Sequence, residues 1–288
     1  MPSTEAILPA APGRGTLALR RWLAEPRLRG VSVDSGEFVE LHRQILMAKP
    51  IMRAVFSEFY YAMLAADERW FTAPGRRVEL GAGSSVFGEL HPEVLATDIK
   101  VARTVRAVVD AQGMPFRPGS VRALYGINCF HHFPEPERFF DELVRLLAPG
   151  AGCVLIEPYH GPLAAQFYRR LFATERFDPA QPAWTSSSGG PMTGANQALS
   201  YIVFRRDRAE FTRRYPGLEL VEQRPLTNYP RYILSGGLNF RSLIPGWLGG
   251  VVRAAEGLAS PLARWLALHH LIVLRRTDRA SVAAGGLA

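Results

Sequence analysis

Five polar residues stand where apolar, strand-like runs end: Glu79, Asp98, Asp110, Asn128 and Glu157. When strands alternate with helices the sheet is parallel, and ligands bind beyond the carboxyl ends of its strands. Four of the five residues are acids, so a ligand held there should carry positive charge. The first of these runs enters a turn, "VELGAGSS" at residues 78–85, with Gly81 and Gly83 on either side of Ala82. A dinucleotide site needs Gly-x-Gly-x-x-Gly, the third glycine letting the helix pack close while its amino end faces the pyrophosphate. Val86 stands in that position here. Glu79 would also set a carboxylate near the pyrophosphate, a like-charge contact costing on the order of several kcal/mol at an effective dielectric of ~20. The turn suits a phosphate-free ligand that is cationic near Glu79.

A second chemical group follows the fourth strand. His131 and His132 lie in "NCFHHF", and His160 follows the fifth strand. Each could take a proton from an acceptor hydroxyl. Tyr159 and Glu157 rank behind them as bases. His42, His91, His269 and His270 read as packing or surface residues. An adjacent histidine pair lacks the three- or four-residue helical spacing typical of metal ligands, so no metal site is expected. Cys129 and Cys153 lie in apolar runs where a thiol packs as a small hydrophobe, which suggests neither a disulfide nor zinc.

The elements that must position these groups can be read from periodicity. Residues 1–35 are rich in Pro, Gly and Arg and predict a loose arm. Residues 36–70 carry apolar residues at helical spacing, divided at Pro50, and predict a cap of two helices. Residues 71–277 give strands at 77–80, "EVLATDIK", "VRAVVDAQ", "VRALYGINCF", "GCVLIEP", "LELVEQRPL" and "HHLIVLRR", with a helix at 136–147. Two long connections, residues 161–204 and 227–268, interrupt the later strands, with short helices expected at 161–174 and 207–215. Both begin at the carboxyl edge of the sheet and should hang over the ligand, the amino-terminal helices forming a third wall. Trp184, Tyr201, Tyr229, Tyr232, Asn239 and Phe240 are candidate lining. Residues 278–288 are expected to fray.

Within the second connection, Trp247, Val251, Ala254, Ala255, Leu258, Leu262, Trp265 and Leu266 share one broad helical face. Two readings follow for residues 243–267. The first is a cap helix packed on the sheet. The second is peripheral contact with a membrane, or a greasy wall for a lipid-like acceptor.

The chain of 288 residues is 48% hydrophobic, enough to bury about three quarters of its unfolded surface in one large domain or a domain with a cap. Its formal charge of +8 could serve nucleic acid or an anionic surface. Lys49 and Lys100 are the only lysines among 34 basic residues, and the arginines are scattered without a dense run. That pattern fits a GC-rich coding bias, and nucleic acid is not an expected partner. No run of 18 or more uncharged apolar residues occurs, and the first residues lack the layout of a secretory signal, which reads as a cytoplasmic protein.

"VELGAGSS" followed by Asp98, with "DAQGMPF" and "HHF" further on, resembles the class I S-adenosylmethionine-dependent methyltransferases, in particular their large small-molecule group. The similarity runs from about Arg77 to Pro158. It implies a Rossmann-like α/β fold with seven mostly parallel strands, the last antiparallel. It also implies S-adenosylmethionine as cofactor, with Gly81, Ala82 and Gly83 against the methionine part and ribose and Glu79 near the ammonium group. Asp98 would accept both ribose hydroxyls, Ile99 would pack on the adenine, and Asp110 with Ala111 would receive the adenine amino group. Asn128 and Cys129 would pass the methionine and the methyl group. The segment after strand four lacks the Asn/Asp-Pro-Pro-aromatic pattern of nucleobase and glutamine N-methyltransferases. A small-molecule acceptor methylated at oxygen is the expected substrate. A nucleotide-dependent oxidoreductase and a non-catalytic cofactor-binding partner protein are the other readings.

Overall fold

The structure, a computed structural model, describes residues 14–172, 175–186 and 194–278. Three helices open it: α1 (Arg14–Leu23), α2 (Gly36–Ala48) and α3 (Pro50–Trp70). The Ser35 hydroxyl accepts the Phe38 amide at 3.2 Å and starts α2, satisfying one of the amides a helix leaves unpaired. Pro50 opens α3, where its missing N–H costs nothing. Then come β1 (Arg76–Leu80), α4 (Phe87–Leu90), β2 (Val94–Asp98), β3 (Ala107–Val108), β4 (Val121–Ile127), α5 (Pro136–Leu146) and β5 (Leu147–Pro158). The chain continues through α6 (Pro162–Arg170), α7 (Leu199–Tyr201), a π-helical turn (Ile202–Arg206), α8 (Arg208–Arg214) and β6 (Leu218–Pro225). It closes with α9 (Tyr229–Ser235), α10 (Gly249–Ala259), α11 (Ala263–Leu266) and β7 (His269–Arg276).

The seven strands form one sheet in the order β3-β2-β1-β4-β5-β7-β6. β7 runs antiparallel to both β5 and β6, and the other pairings are parallel. The order reverses between β1 and β4, which opens a crevice at their carboxyl ends. Side chains alternate across the sheet, as the twofold period of a strand requires. Leu124, Cys153 and Leu155 face a core with Phe139, Phe140 and Leu143 of α5 and Phe211 of α8. Ala123, Tyr125, Val154 and Ile156 face the apolar stripe of α3.

Three expectations change. The arm predicted for residues 1–35 is not loose from Arg14 onward. Ala24 bridges Phe240, the Glu25 amide donates to the Asn239 carbonyl, and the Arg241 amide donates to Leu23. Those partners are more than two hundred residues away, beyond the reach of local periodicity. Residues 1–13 and the tail after Asp278 lie outside the described residues. The cap predicted for residues 36–70 divides: α3 is a full layer of the domain, its Met52, Val55, Phe59 and Met63 buried on the sheet. Only α2 and part of α3 reach the crevice.

The third change concerns residues 243–267. Helical structure runs from Gly246 to Leu266, but the predicted apolar face points outward. Trp247 is 78% exposed and Leu258 87%. The face turned inward holds Glu256 and Ala263. Glu256 receives the Arg231 guanidinium at 2.7 Å and the Arg231 amide at 2.9 Å, and Arg231 also donates to Glu58 at 2.6 Å. A buried charge demands its partner far more than one leucine demands burial, so the ion pair fixes the rotation of the helix.

A second buried carboxylate ties α3 to the sheet. Asp67 is fully buried and accepts from Arg77 at 2.7 Å, from Arg122 at 2.8 Å and from the Tyr125 hydroxyl. Removing one member of such a network strands the others. Asp67→Ala should lower unfolding stability by about 3–5 kcal/mol, read as a fall in the urea midpoint. An unshifted midpoint would show that the network is energetically idle.

Candidate active site

A cavity of about 510 Å³ opens at the carboxyl ends of β1, β2 and β4. Its floor contains Glu79, Gly81, Ala82, Gly83, Asp98, Ile99, Asp110, Ala111, Asn128 and Cys129. All ten residues predicted to face a cofactor therefore share one space. Val39 and His42 of α2 stand over it, joined by Phe167, Phe172 and Glu175 from one connection and Tyr232 and Asn239 from the other.

The glycine turn owes its form to backbone freedom. Gly81 has φ +65°, and a Cβ there would lie 2.8 Å from the Cβ of Cys129. Only glycine adopts that conformation and tolerates that approach. The Gly83 amide donates to Asp98 Oδ2 at 2.9 Å, and the Lys100 amide to Asp98 Oδ1 at 2.8 Å. Each carboxylate oxygen keeps a lone pair, enough for two further donors such as vicinal hydroxyls. Ile99 is half exposed beside them, an apolar face available for stacking.

Two oxygens in this space lack a donor. Glu79 Oε2 and Asn128 Oδ1 are buried without a hydrogen-bond partner. Asn128 is the one non-glycine residue with positive φ, +50°, among the described residues, a conformation that asparagine tolerates better than most. Buried acceptors cost free energy unless a ligand or water supplies the hydrogen. Burial, with the Asp98 charge adding to it and the Ser85 hydroxyl opposing, raises the Glu79 carboxyl to a pKa of about 8.

The histidines separate clearly. His131 is buried, its Nδ1 2.6 Å from Glu157 and its Nε2 3.2 Å from Glu175. Burial alone would lower its pKa, but the two carboxylates overcome it and raise it to about 10. At neutral pH this ring is a locked imidazolium and cannot accept a proton, so its predicted role as base is withdrawn. Glu175 answers in kind: burial pushes its pKa up, the His131 and His132 contacts outweigh that, and the net value is about 2. His132 also lines the cavity, with its Nε2 3.9 Å from Glu175.

His160 belongs elsewhere. It stacks on Tyr201 at 4.0 Å and on Phe177 at 5.6 Å, and it lines a separate cavity with Arg205, Arg208 and Gln223. The chain turns into α6 two residues after it, and the ring is absent from the lining of the main cavity. It is excluded as the base. Of the predicted lining, Tyr232 and Asn239 face the main cavity, while Trp184, Tyr201, Tyr229 and Phe240 do not. Trp184 instead packs in the α5–α8 core and donates to Asp207 at 2.9 Å.

Glu175 is the residue that sequence reasoning missed. It sits in an irregular stretch with no period, and only the fold brings it to the histidine pair. Together His131, His132 and Glu175 hold ligand-type atoms within 4.8 Å of one another, a grouping that the helical-spacing argument could not anticipate. His42 and His269, read as packing or surface residues, also line the cavity. Burial lowers the first to a pKa of about 4 and the second to about 3, so both are neutral near pH 7.

Residues 78–155 match a family model described as a methyltransferase domain. Over those residues, a little over a quarter of the chain, the sequence is similar to that domain family. The match begins at Val78 and takes in the whole glycine turn, β2 and the His131–His132 pair. Norajmaline N-methyltransferase of Rauvolfia serpentina is 33% identical over 57 residues, 20% of this chain and 20% of that relative's length. Among solved structures, geranyl diphosphate C-methyltransferase from Streptomyces coelicolor A3(2), in complex with Mg2+, geranyl diphosphate and S-adenosyl-L-homocysteine, gives a TM-score of 0.45 at 14% identity. That alignment covers 88% of this chain and 89% of that one. Phosphoethanolamine N-methyltransferase 2 of Haemonchus contortus, in complex with S-adenosyl-L-methionine, gives 0.46 at 14% identity over 88% of this chain and 59% of that one.

The raised pKa of Glu79 has a measurable consequence. Between pH 4.5 and about 8 the folded protein keeps a proton there that the unfolded chain has lost. The folded state then binds more protons, so stability falls as pH rises, by up to roughly 4–5 kcal/mol from this group. Glu79→Gln should flatten the decline measured by urea unfolding from about pH 5 to 8 in the ligand-free protein. Parallel curves for the two proteins would refute the assignment.

Proposed function

We propose that the protein is an S-adenosylmethionine-dependent methyltransferase that methylates an oxygen of a small molecule. The observation that carries the reading is the pair of buried, donorless oxygens, Glu79 Oε2 and Asn128 Oδ1, beside an Asp98 carboxylate with spare lone pairs. An ammonium group would supply the missing N–H donors, and a ribose diol would fit Asp98. Ile99 offers the face for an adenine, with Asp110 and Ala111 at its edge. The cofactor, when bound, supplies a methyl group on a sulfonium. A phosphate has no comparable place beside the Asp98 carboxylate, which would repel it.

The remaining work of the chain is to position an acceptor and take up its proton. Transfer from sulfonium is an in-line displacement, so a nucleophile held at about 3 Å on the correct line gains most of the rate. Phe167, Tyr168, Phe172, Tyr232 and Leu238 line the cavity and favour an acceptor with an apolar body. His132 is the base in this reading. Glu175, 3.9 Å from its Nε2, would stabilise the imidazolium that forms as the hydroxyl gives up its proton. His131 contributes by pinning Glu175 in place, and is a positioning residue.

Calorimetry with S-adenosylhomocysteine and with NADH tests the cofactor. Binding of the first alone is expected, lost in Asp98→Ala. It should release protons near neutral pH as Glu79 ionises against the ammonium group. Binding of NADH alone would overturn the reading. His132→Gln should retain cofactor affinity and slow methyl transfer from a radiolabelled donor to a small-molecule extract by about 10²–10⁴-fold. Undiminished transfer would remove His132 from the mechanism.

A further inference from the structure

The helical run from Gly246 to Leu266 has two opposite faces. Its inner face is held by Glu256, which is buried against Arg231. Its outer face presents Trp247, Val251, Leu258, Leu262 and Trp265, all exposed and spaced by four, seven, four and three residues. That spacing is one continuous helical stripe. Monomeric proteins rarely leave such a stripe to water, and a contiguous exposed patch marks an interaction surface.

Charge decides what the surface fits. Glu256 is the only acid between Leu226 and Thr277, and it is consumed internally by Arg231. The charged residues that this segment exposes are Arg241, Arg253 and Arg264. Arg253 is 69% exposed even though it reaches Glu58 at 3.7 Å. The Arg264 guanidinium lies 3.8 Å over the Trp265 ring, an arginine–tryptophan pairing that suits an apolar–polar boundary. α1 is tied to the same segment through the bond from the Arg241 amide to the Leu23 carbonyl. α1 itself exposes Trp22, Leu19 and Arg21.

We infer that this face docks the protein on an anionic lipid bilayer, with the apolar stripe in the acyl boundary and the arginines among the headgroups. Tryptophans at the water boundary, an apolar helical face and cations without exposed acids are the components of an interfacial helix. No helix among the described residues is long and apolar enough to cross a membrane, so the contact is one of lying on the surface. α10 packs on α9, whose Tyr232 lines the active-site cavity. The docking face and the acceptor space thus share a wall.

The inference stands apart from methyl transfer and is tested separately. The full chain is sedimented with vesicles of phosphatidylcholine alone and with about one-third phosphatidylglycerol added. Partition to the anionic vesicles is expected. Leu258→Asp should reduce it by about tenfold or more, and Arg253→Gln with Arg264→Gln by about fivefold per arginine. S-adenosylhomocysteine affinity should stay unchanged in these variants, which shows that they fold. No partition to either vesicle, or equal partition of the Leu258 variant, overturns the inference. So does a dimer in light scattering that Leu258→Asp dissociates, since a second copy would then cover the face. Absence of cofactor binding by the wild-type protein would instead sink the methyltransferase reading and leave the vesicle result standing.

Discussion

The site is organised around one carboxylate. Glu157 is fully buried at the end of β5 and accepts the amides of Cys129 and Phe130 at 2.9 Å, the His131 amide at 3.3 Å and His131 Nδ1 at 2.6 Å. An ionised carboxylate deprived of water costs several kcal/mol unless its lone pairs are filled. Here three main-chain donors and one imidazolium fill them. The consequence is geometric: the chain leaving β4 must curl tightly over the end of β5. That curl sets Asn128 at positive φ and aims Cys129 against the glycine turn. Gly126 and Gly81 are glycines partly because Cys129 occupies the space where their Cβ atoms would lie.

The same interaction settles the protonation pattern. With Glu157 on one nitrogen and Glu175 on the other, His131 carries its positive charge permanently near neutrality. Two carboxylates and one imidazolium leave a net negative charge beside His132, and a neighbouring imidazole that gains a proton is stabilised by it. The two ends of the cavity therefore differ: Glu79 Oε2 and Asn128 Oδ1 lack donors at one, while at the other Glu157 and Glu175 share a single imidazolium.

Much of this was legible from residue types. The alternation of strands and helices, the acids at strand ends and the absent third glycine depend on local spacing, which a linear sequence preserves. The ten residues named from the sequence therefore line one cavity. The acceptor side was not legible in this way, because its residues meet only through long-range folding: Glu175 lies in an aperiodic stretch, and His42 and His269 come from opposite ends of the chain. His131 and His132 are indistinguishable in sequence. One differs from the other only in finding two carboxylates.

The carboxyl-terminal connection shows why hydrophobic periodicity can mislead about direction. The period correctly marked a helix and correctly grouped its apolar face, but the inference that an apolar face turns inward assumes that nothing on the opposite face matters more. Glu256 does matter more. An ionised group opposite a buried arginine gains its full value only when water is excluded, whereas each leucine turned outward forfeits about 1.5–3 kcal/mol. A chain that accepts several such losses at once, on residues aligned in a single stripe and flanked by arginines, has its apolar surface arranged for an environment other than water.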